Sequence, residues 1–184
     1  MAINVLNASG SSVSVATQTT SGGTNYNLAI APAVISPLSA PVSSTGITLS
    51  AYTAGRAIGS TALEFTNATV TSGHAINVKS IEVTIDDGAI AGGGLYLYLF
   101  TAAPPAPTNN VLYTPAYATA ASFKKRLTLT GEATGNWGAY RWDGEMLCFP
   151  AATSLYGVVT AASSFTFTLA TATGLKARLL GFYA

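Results

Sequence analysis

The sequence predicts an all-β protein, an antiparallel two-sheet sandwich preceded by an extended N-terminal arm, and three observations carry that expectation. Ile81, Val83 and Ile85 alternate with Glu82, Thr84 and Asp86, the period of two that marks a strand with one dry face. Leu95-Tyr96-Leu97-Tyr98-Leu99-Phe100 leaves neither face polar, so it needs apolar cover on both sides. Runs rich in Gly, Pro, Asn and Asp separate the apolar stretches, and no convincing amphipathic helix lies between them.

Taken in order, residues 1–55 contain no Asp, Glu, Lys or Arg, and the first charge is Arg56. Apolar anchors, among them Ile3, Val5, Leu28 and Ile30, are scattered through Ala, Ser, Thr, Gly and Asn. Pro32, Pro37 and Pro41 exclude a long helix and favour an extended path. Residues 1–46 are therefore expected to form an uncharged arm, and 47–184 the sandwich. An extended arm needs a surface to lie on, either a neighbouring subunit, a larger particle or its own sandwich.

From residue 47 the pattern is that of regular strands, with Ile47-Thr48-Leu49 and Leu63-Glu64-Phe65-Thr66 alternating. Within 75–86 the apolar phase changes, from Ile76 and Val78 to Ile81, Val83 and Ile85, which predicts a bulge near Lys79-Ser80. Asp86-Asp87-Gly88 reads as the corner of a hairpin turn, and Pro104, Pro105 and Pro107 define a loop. Leu127 and Leu129 are the dry positions of the next strand. Asp143-Gly144 then predicts a two-residue hairpin turn pairing Trp142 with Glu145 and Tyr140 with Leu147. That register puts Trp142, Tyr140 and Leu147 on one face and Arg141, Met146 and Cys148 on the other. Strands are expected again at Leu155 to Thr160, Phe165 to Ala170 and Leu175 to Tyr183. Eight or nine strands after residue 46 fit a sandwich of jelly-roll type.

Composition narrows the function. Of 184 residues 49% are apolar and only 8% charged, about a third of the usual charged share. The surface must be built from Ser, Thr, Asn, Gly and Ala, as in a protein whose surface is committed to contacts. A net charge of +1 with eight Lys and Arg argues against nucleic acid as a partner. No apolar run has the length of a membrane span, and the first ten residues lack the basic and apolar regions of a signal peptide. The expectation is a protein made in the cytoplasm and not secreted, for which Asn7 and Asn67 are not glycosylation sites. Cys148 stands alone, which excludes an internal disulfide and suits a buried structural thiol.

No reaction is legible. His74, the single histidine, follows a turn-like Thr71-Ser72-Gly73 and has no nucleophile elbow to serve. Asp143 and Glu145 are explained by a hairpin better than by a carboxylate pair. Lys124-Lys125-Arg126 reads as a solvated edge or a contact with an acidic neighbour. No catalytic, cofactor-binding or metal-binding residue is assigned. The interface candidates are Tyr96, Tyr98 and Phe100, followed by Ile3, Val5, Leu28 and Ile30. Trp137 and Trp142 are candidates for stacking on sugar rings.

The run Ile76-Asn77-Val78-Lys79-Ser80-Ile81-Glu82-Val83, the glycine-rich turn, Leu95 to Phe100 and the proline loop at 104–107 together resemble a type of tailed-bacteriophage virion protein. The similarity spans roughly residues 60–183. It implies a jelly-roll-like domain in a virion component, a capsid decoration or a minor head, neck or tail part, often trimeric. The expected function is then a non-enzymatic decoration or cement protein that stabilises a phage head through its arm and sandwich. Its partners would be itself and the major capsid protein, its place the virion, with no cofactor, nucleic acid or membrane. The alternative is a carbohydrate- or receptor-binding module of a tail or fibre.

Overall fold

The computed structural model describes the chain from residue 42 onward except residues 49, 67, 70–73, 86–93, 135–136, 167–173 and 184, and before residue 42 it describes strands alone. The chain divides into two compact units, Met1–Val34 and Ile35–Ala184. The first contains β1 (Val5–Leu6) paired antiparallel with β2 (Ser12–Val13), and β3 (Thr17–Thr20) paired antiparallel with β4 (Gly23–Tyr26).

The second unit contains β5 (Ser36–Pro37), β6 (Val42–Ser44), β7 (Ala51–Tyr52), β8 (Leu63–Phe65), β9 (Ile76–Ile85), β10 (Leu95–Phe100), β11 (Phe123–Thr134), β12 (Trp137–Cys148), β13 (Leu155–Ala161), β14 (Phe165–Thr166) and β15 (Leu175–Tyr183). The boundary falls at Val34/Ile35 rather than at the expected residue 46, because β5 and β6 both pair with β15 and so belong to the sheet.

The main sheet runs in the order β5-β15-β9-β12-β11-β10-β13-β8, with β6 also on β15, and each of these pairs is antiparallel. In β9-β12-β11-β10 and again in β13-β10-β11-β12, three consecutive strands are joined by a fourth lying beside the first or last of them. These are two overlapping Greek keys, the connectivity on which jelly rolls are built. The strand β11 belongs to both halves of the sandwich. It pairs with β10 through Phe123 to Leu129 and with β12 through Thr130 to Thr134. At the crossing, a Cβ on Gly131 would run into the Ala139 carbonyl oxygen, so only glycine lets the two backbones approach this closely. At the far end β8 lies beside β6 and β15, so the curled sheet nearly closes on itself.

The alternation seen in the sequence explains the core. Ile81, Val83, Ile85, Leu95, Leu97, Leu99, Leu127 and Leu129 are all buried inside the curl. The expected bulge is present: Leu180 pairs with Ser80 and Gly181 with Val78, leaving Lys79 as the extra residue of β9 against β15.

One turn expectation is overturned. Residues 137–148 form one continuous strand, so Asp143-Gly144 is no hairpin; β12 instead bulges against β9 between Asp143 and Met146. The inward positions of β9 step three residues from Ile81 to Val78, whereas those of β12 step four from Trp142 to Met146. One extra residue in β12 keeps both strands facing the core across the phase change. Tyr140, Met146 and Cys148 are consequently buried together, with Trp142 packed against the same core, while Leu147 faces outward. The strands β9 and β10 are not neighbours in the sheet. Asp86-Asp87-Gly88 themselves lie outside the described residues.

Candidate interaction surface

Leu95 to Phe100 finds its second layer within the same chain. Leu95, Leu97 and Leu99 face the core, and the excursion from residue 101 to 122 returns to cover the other side. The Tyr98 ring meets Tyr113 edge-on at 5.2 Å and Phe123 at 6.2 Å, and the Arg126 guanidinium lies 4.6 Å from the Tyr96 ring centre. Burial raises the Tyr113 phenol above its ordinary pKa, with Tyr98 adding to the effect. A register shift falls between Leu99 and Phe100; Leu99 belongs to the leucine core, whereas Phe100 is fully buried against Phe123, outside that cluster. Phe100 is therefore covered within the single chain rather than a free interface residue. Tyr96 and Tyr98 remain half-buried.

Two asparagines fix the covering loop. Asn109 Oδ1 accepts from the Tyr52 hydroxyl at 2.7 Å and from the Gly59 N–H at 2.8 Å, and its amide donates to Thr48 Oγ1 at 2.9 Å. Three of its four side-chain hydrogen-bonding positions are spent on bonds to Thr48, Tyr52 and Gly59. Next to it Asn110 adopts φ +57°, a left-handed conformation that asparagine tolerates. Its amide donates to the Ala51 carbonyl at 3.1 Å, and its own carbonyl accepts from Arg56 at 2.9 Å. Main-chain bonds from Ala57 N–H to the Val111 carbonyl and from Tyr113 N–H to the Gly55 carbonyl finish the seam.

The clamp leaves apolar side chains facing solvent. Val111 is 50% exposed, Leu112 66% and Tyr117 96%. Beside them, Pro105, Pro107, Leu112, Tyr113 and Ala116 line a shallow groove of about 190 Å³. No Asp, Glu, Lys or Arg occurs between residues 88 and 123. A rigid, uncharged loop that presents large apolar groups has the chemistry of a contact surface.

The outer face of β12, β9 and β15 is of the opposite kind. Arg141, Glu82 and Arg178 are cross-strand neighbours in one row, with Arg178 Nη2 2.8 Å from Glu82 Oε2. Arg141 Nε donates to Ser80 Oγ at 2.8 Å and to Asp143 Oδ1 at 2.7 Å. Lys79 Nζ lies 2.9 Å from Glu145 Oε1, and the Asn77 amide donates to the same oxygen at 2.5 Å. The Lys79 and Asn77 hydrogen bonds hold the Glu145 carboxyl below its usual pKa. Leu147 and Phe149 are also exposed here, but interleaved with charge.

The remaining sequence candidates separate. Ile3, Leu28 and Ile30 lie outside the described residues, and Val5 pairs with Val13 in β1–β2. Trp137 is 52% exposed, whereas Trp142 packs on the core across Gly144, whose Cβ, were there one, would sit 2.6 Å from Trp142 Cζ2. Five residues apart on one strand, the two indoles point to opposite faces and form no shared sugar platform. His74 is exposed. Cys148 is fully buried, and burial pushes its thiol up to about 11 against a small opposing effect of Lys124. Lys124, Lys125 and Arg126 are exposed on the half of β11 that pairs with β10 alone, in keeping with an edge. Among the described residues no three His, Cys, Asp or Glu side chains converge, so none is assigned to a metal. Sequence reasoning missed Asn109 and Asn110. Their signal was two asparagines following a proline run, a pattern suited to left-handed turns.

Family models, curated proteins and solved structures yield no match to this chain.

Proposed function

We propose that this chain is a non-enzymatic structural protein of a phage-like virion, acting as a decoration or cement component of the head. One observation supports the assembly reading above all: Asn109 and Asn110 hold a charge-free loop that leaves Val111 and Leu112 in water, and Tyr117 is exposed on the turn that follows. Three exposed apolar side chains in one fixed loop are unfavourable for an isolated protein and favourable for one that ends up covered. The resemblance carried by Ile76 to Val83, Leu95 to Phe100 and the proline loop supports the virion as the setting. In such a role the protein does no chemistry. It adds apolar contact across a seam of the shell, beside the major capsid protein and further copies of itself, and raises the force needed to open it.

The test is co-sedimentation of the full-length protein with shells assembled from the capsid protein of the same genome. Binding at a fixed stoichiometry, together with a higher temperature of shell opening, is expected. Failure to sediment with shells, combined with saturable binding to a glycan array, would replace this reading with the carbohydrate-binding one.

A further inference from the structure

We propose that the loop surface formed by Val111, Leu112 and Tyr117 docks on the same surface of a second copy of this chain, as a two-fold symmetric contact. The inference rests on the assembly reading above and deepens it by naming the partner and the patch.

Charge is the first argument. A partner with an ordinary surface, about a quarter of it charged, would bring ionic groups against a loop that has none between residues 88 and 123 to pair with them. Such groups would be desolvated without compensation. A second copy of the loop brings aliphatic side chains, a phenol, hydroxyls and amides; the charge beside it, Arg56, already donates to the Asn110 carbonyl of its own chain at 2.9 Å. Its surface is thus complementary to itself in the sense that a two-fold interface requires. Rigidity is the second argument. Asn109 and Asn110 fix the backbone before Val111, and the main-chain bonds at Val111 and Tyr113 fix it around Leu112, so little conformational freedom remains there to be lost on docking. The third is position. Leu112, 66% exposed, bridges in register to Arg56 and stands at the rim of the Pro105–Pro107 groove, so an incoming Leu112 meets a recess rather than a flat wall. On the opposite outer face, Leu147 and Phe149 have exposed side chains too, but Arg141, Asp143 and Glu145 among them would each need a partner.

The experiment measures the mass of the full-length protein in solution by light scattering up to about 100 µM, a range that covers specific interfaces of modest affinity. Leu112→Asp places two carboxylates at the symmetric contact, and Leu147→Asp places one on the other face. The expected result is a dimer that Leu112→Asp weakens about a hundredfold, as truncating a central contact residue does, and that Leu147→Asp leaves unchanged. Leu112→Cys supplies a second measurement. Its exposed thiols should oxidise to a disulfide between two copies, while the buried Cys148 stays reduced. A monomer at every concentration, a dimer indifferent to Leu112→Asp, or a Leu112→Cys thiol that cross-links to another cysteine variant placed in residues 1–34 instead of to its own counterpart would each overturn the proposal. If the monomeric protein still bound shells, the virion reading would stand and only the self-docking would fall.

Discussion

The loop from 101 to 122 and the outer face of β12, β9 and β15 solve the same problem of facing water in opposite ways. On the sheet face, Lys79, Glu82, Arg141, Asp143, Glu145 and Arg178 form exposed ion pairs that keep the surface hydrated. The loop has no charge and is held from beneath by amides. The difference is one between a surface hydrated by ion pairs and one that exposes neutral apolar groups. It also separates interactions that fix the backbone, most of them between neutral groups, from interactions that dress it, which are ionic.

The largest effect should come from breaking the neutral side. Asn109→Ala removes the acceptor of the fully buried Tyr52 ring's hydroxyl and of the Gly59 N–H together. The Tyr52 hydroxyl keeps the longer 3.5 Å contact to the Thr48 carbonyl, and losing the bonds to Asn109 costs about 1–3 kcal/mol, a loss that chemical denaturation should register. The loop should also loosen, so faster proteolysis between 101 and 122 is expected alongside. A loss below about 0.5 kcal/mol, within the range of ordinary surface substitutions, would mean that the loop is held by its main-chain bonds alone.

Much of this frame was legible in the sequence, and the misreadings share a physical cause. Alternation in Ile81 to Ile85, the phase break at Lys79-Ser80 and the doubly apolar Leu95 to Phe100 are local patterns, and each holds in the fold. Asp143-Gly144 is also a local pattern, but its meaning is set elsewhere. The dipeptide suits a tight turn or a bulge equally, and the three-residue step of β9 from Ile81 to Val78 decides for the bulge. Tryptophan 142 then covers a glycine in its own strand instead of a cross-strand glutamate. Which strands would neighbour each other is a long-range property, so β9 and β10, adjacent in sequence, could be mistaken for a hairpin. The contact surface was half legible. Cover over Tyr96 and Tyr98 was required by pattern, but nothing local says that residues 101–122 supply it, or that Asn109 reaches back to Tyr52.

Titration sharpens the comparison at an intermediate scale. Burial raises the Cys148 thiol to about 11, and raises the Tyr113 and Tyr140 phenols as well. The folded state keeps these groups neutral while the unfolded chain ionises. Their contribution is complete below the ordinary pKa values, 9.0 for the thiol and 10.0 for the phenols, and is lost as the pH rises through the folded ones. On the ionic face the sign is reversed. Glu145 is held below 4.5 by Lys79 and Asn77, so its contribution is present above that value and disappears as acid protonates it. Glu145 is fully exposed, and its step should be the smaller one. Melting temperatures measured from pH 3 to pH 11 should fall more steeply on the alkaline side, and Cys148→Ala should remove part of the decline above pH 9. A thiol reagent at neutral pH should modify Cys148 only after unfolding.

The smallest effect is expected where the structure shows its most conspicuous ion pair. Arg178 and Glu82 sit 2.8 Å apart on the sheet face, with Arg141 flanking Glu82 from the other strand. Arg178→Ala leaves the carboxylate hydrated and still beside a guanidinium, so the cost should be about 0.5 kcal/mol or less, and molar salt should change the stability of the unsubstituted protein by no more. A loss above about 1.5 kcal/mol would instead mark this face as a coupled network that helps to fix the sheet. With the small value, the charges on β12, β9 and β15 serve hydration. They can be exchanged without disturbing the fold, whereas the neutral loop cannot be changed at Asn109 without disturbing its shape.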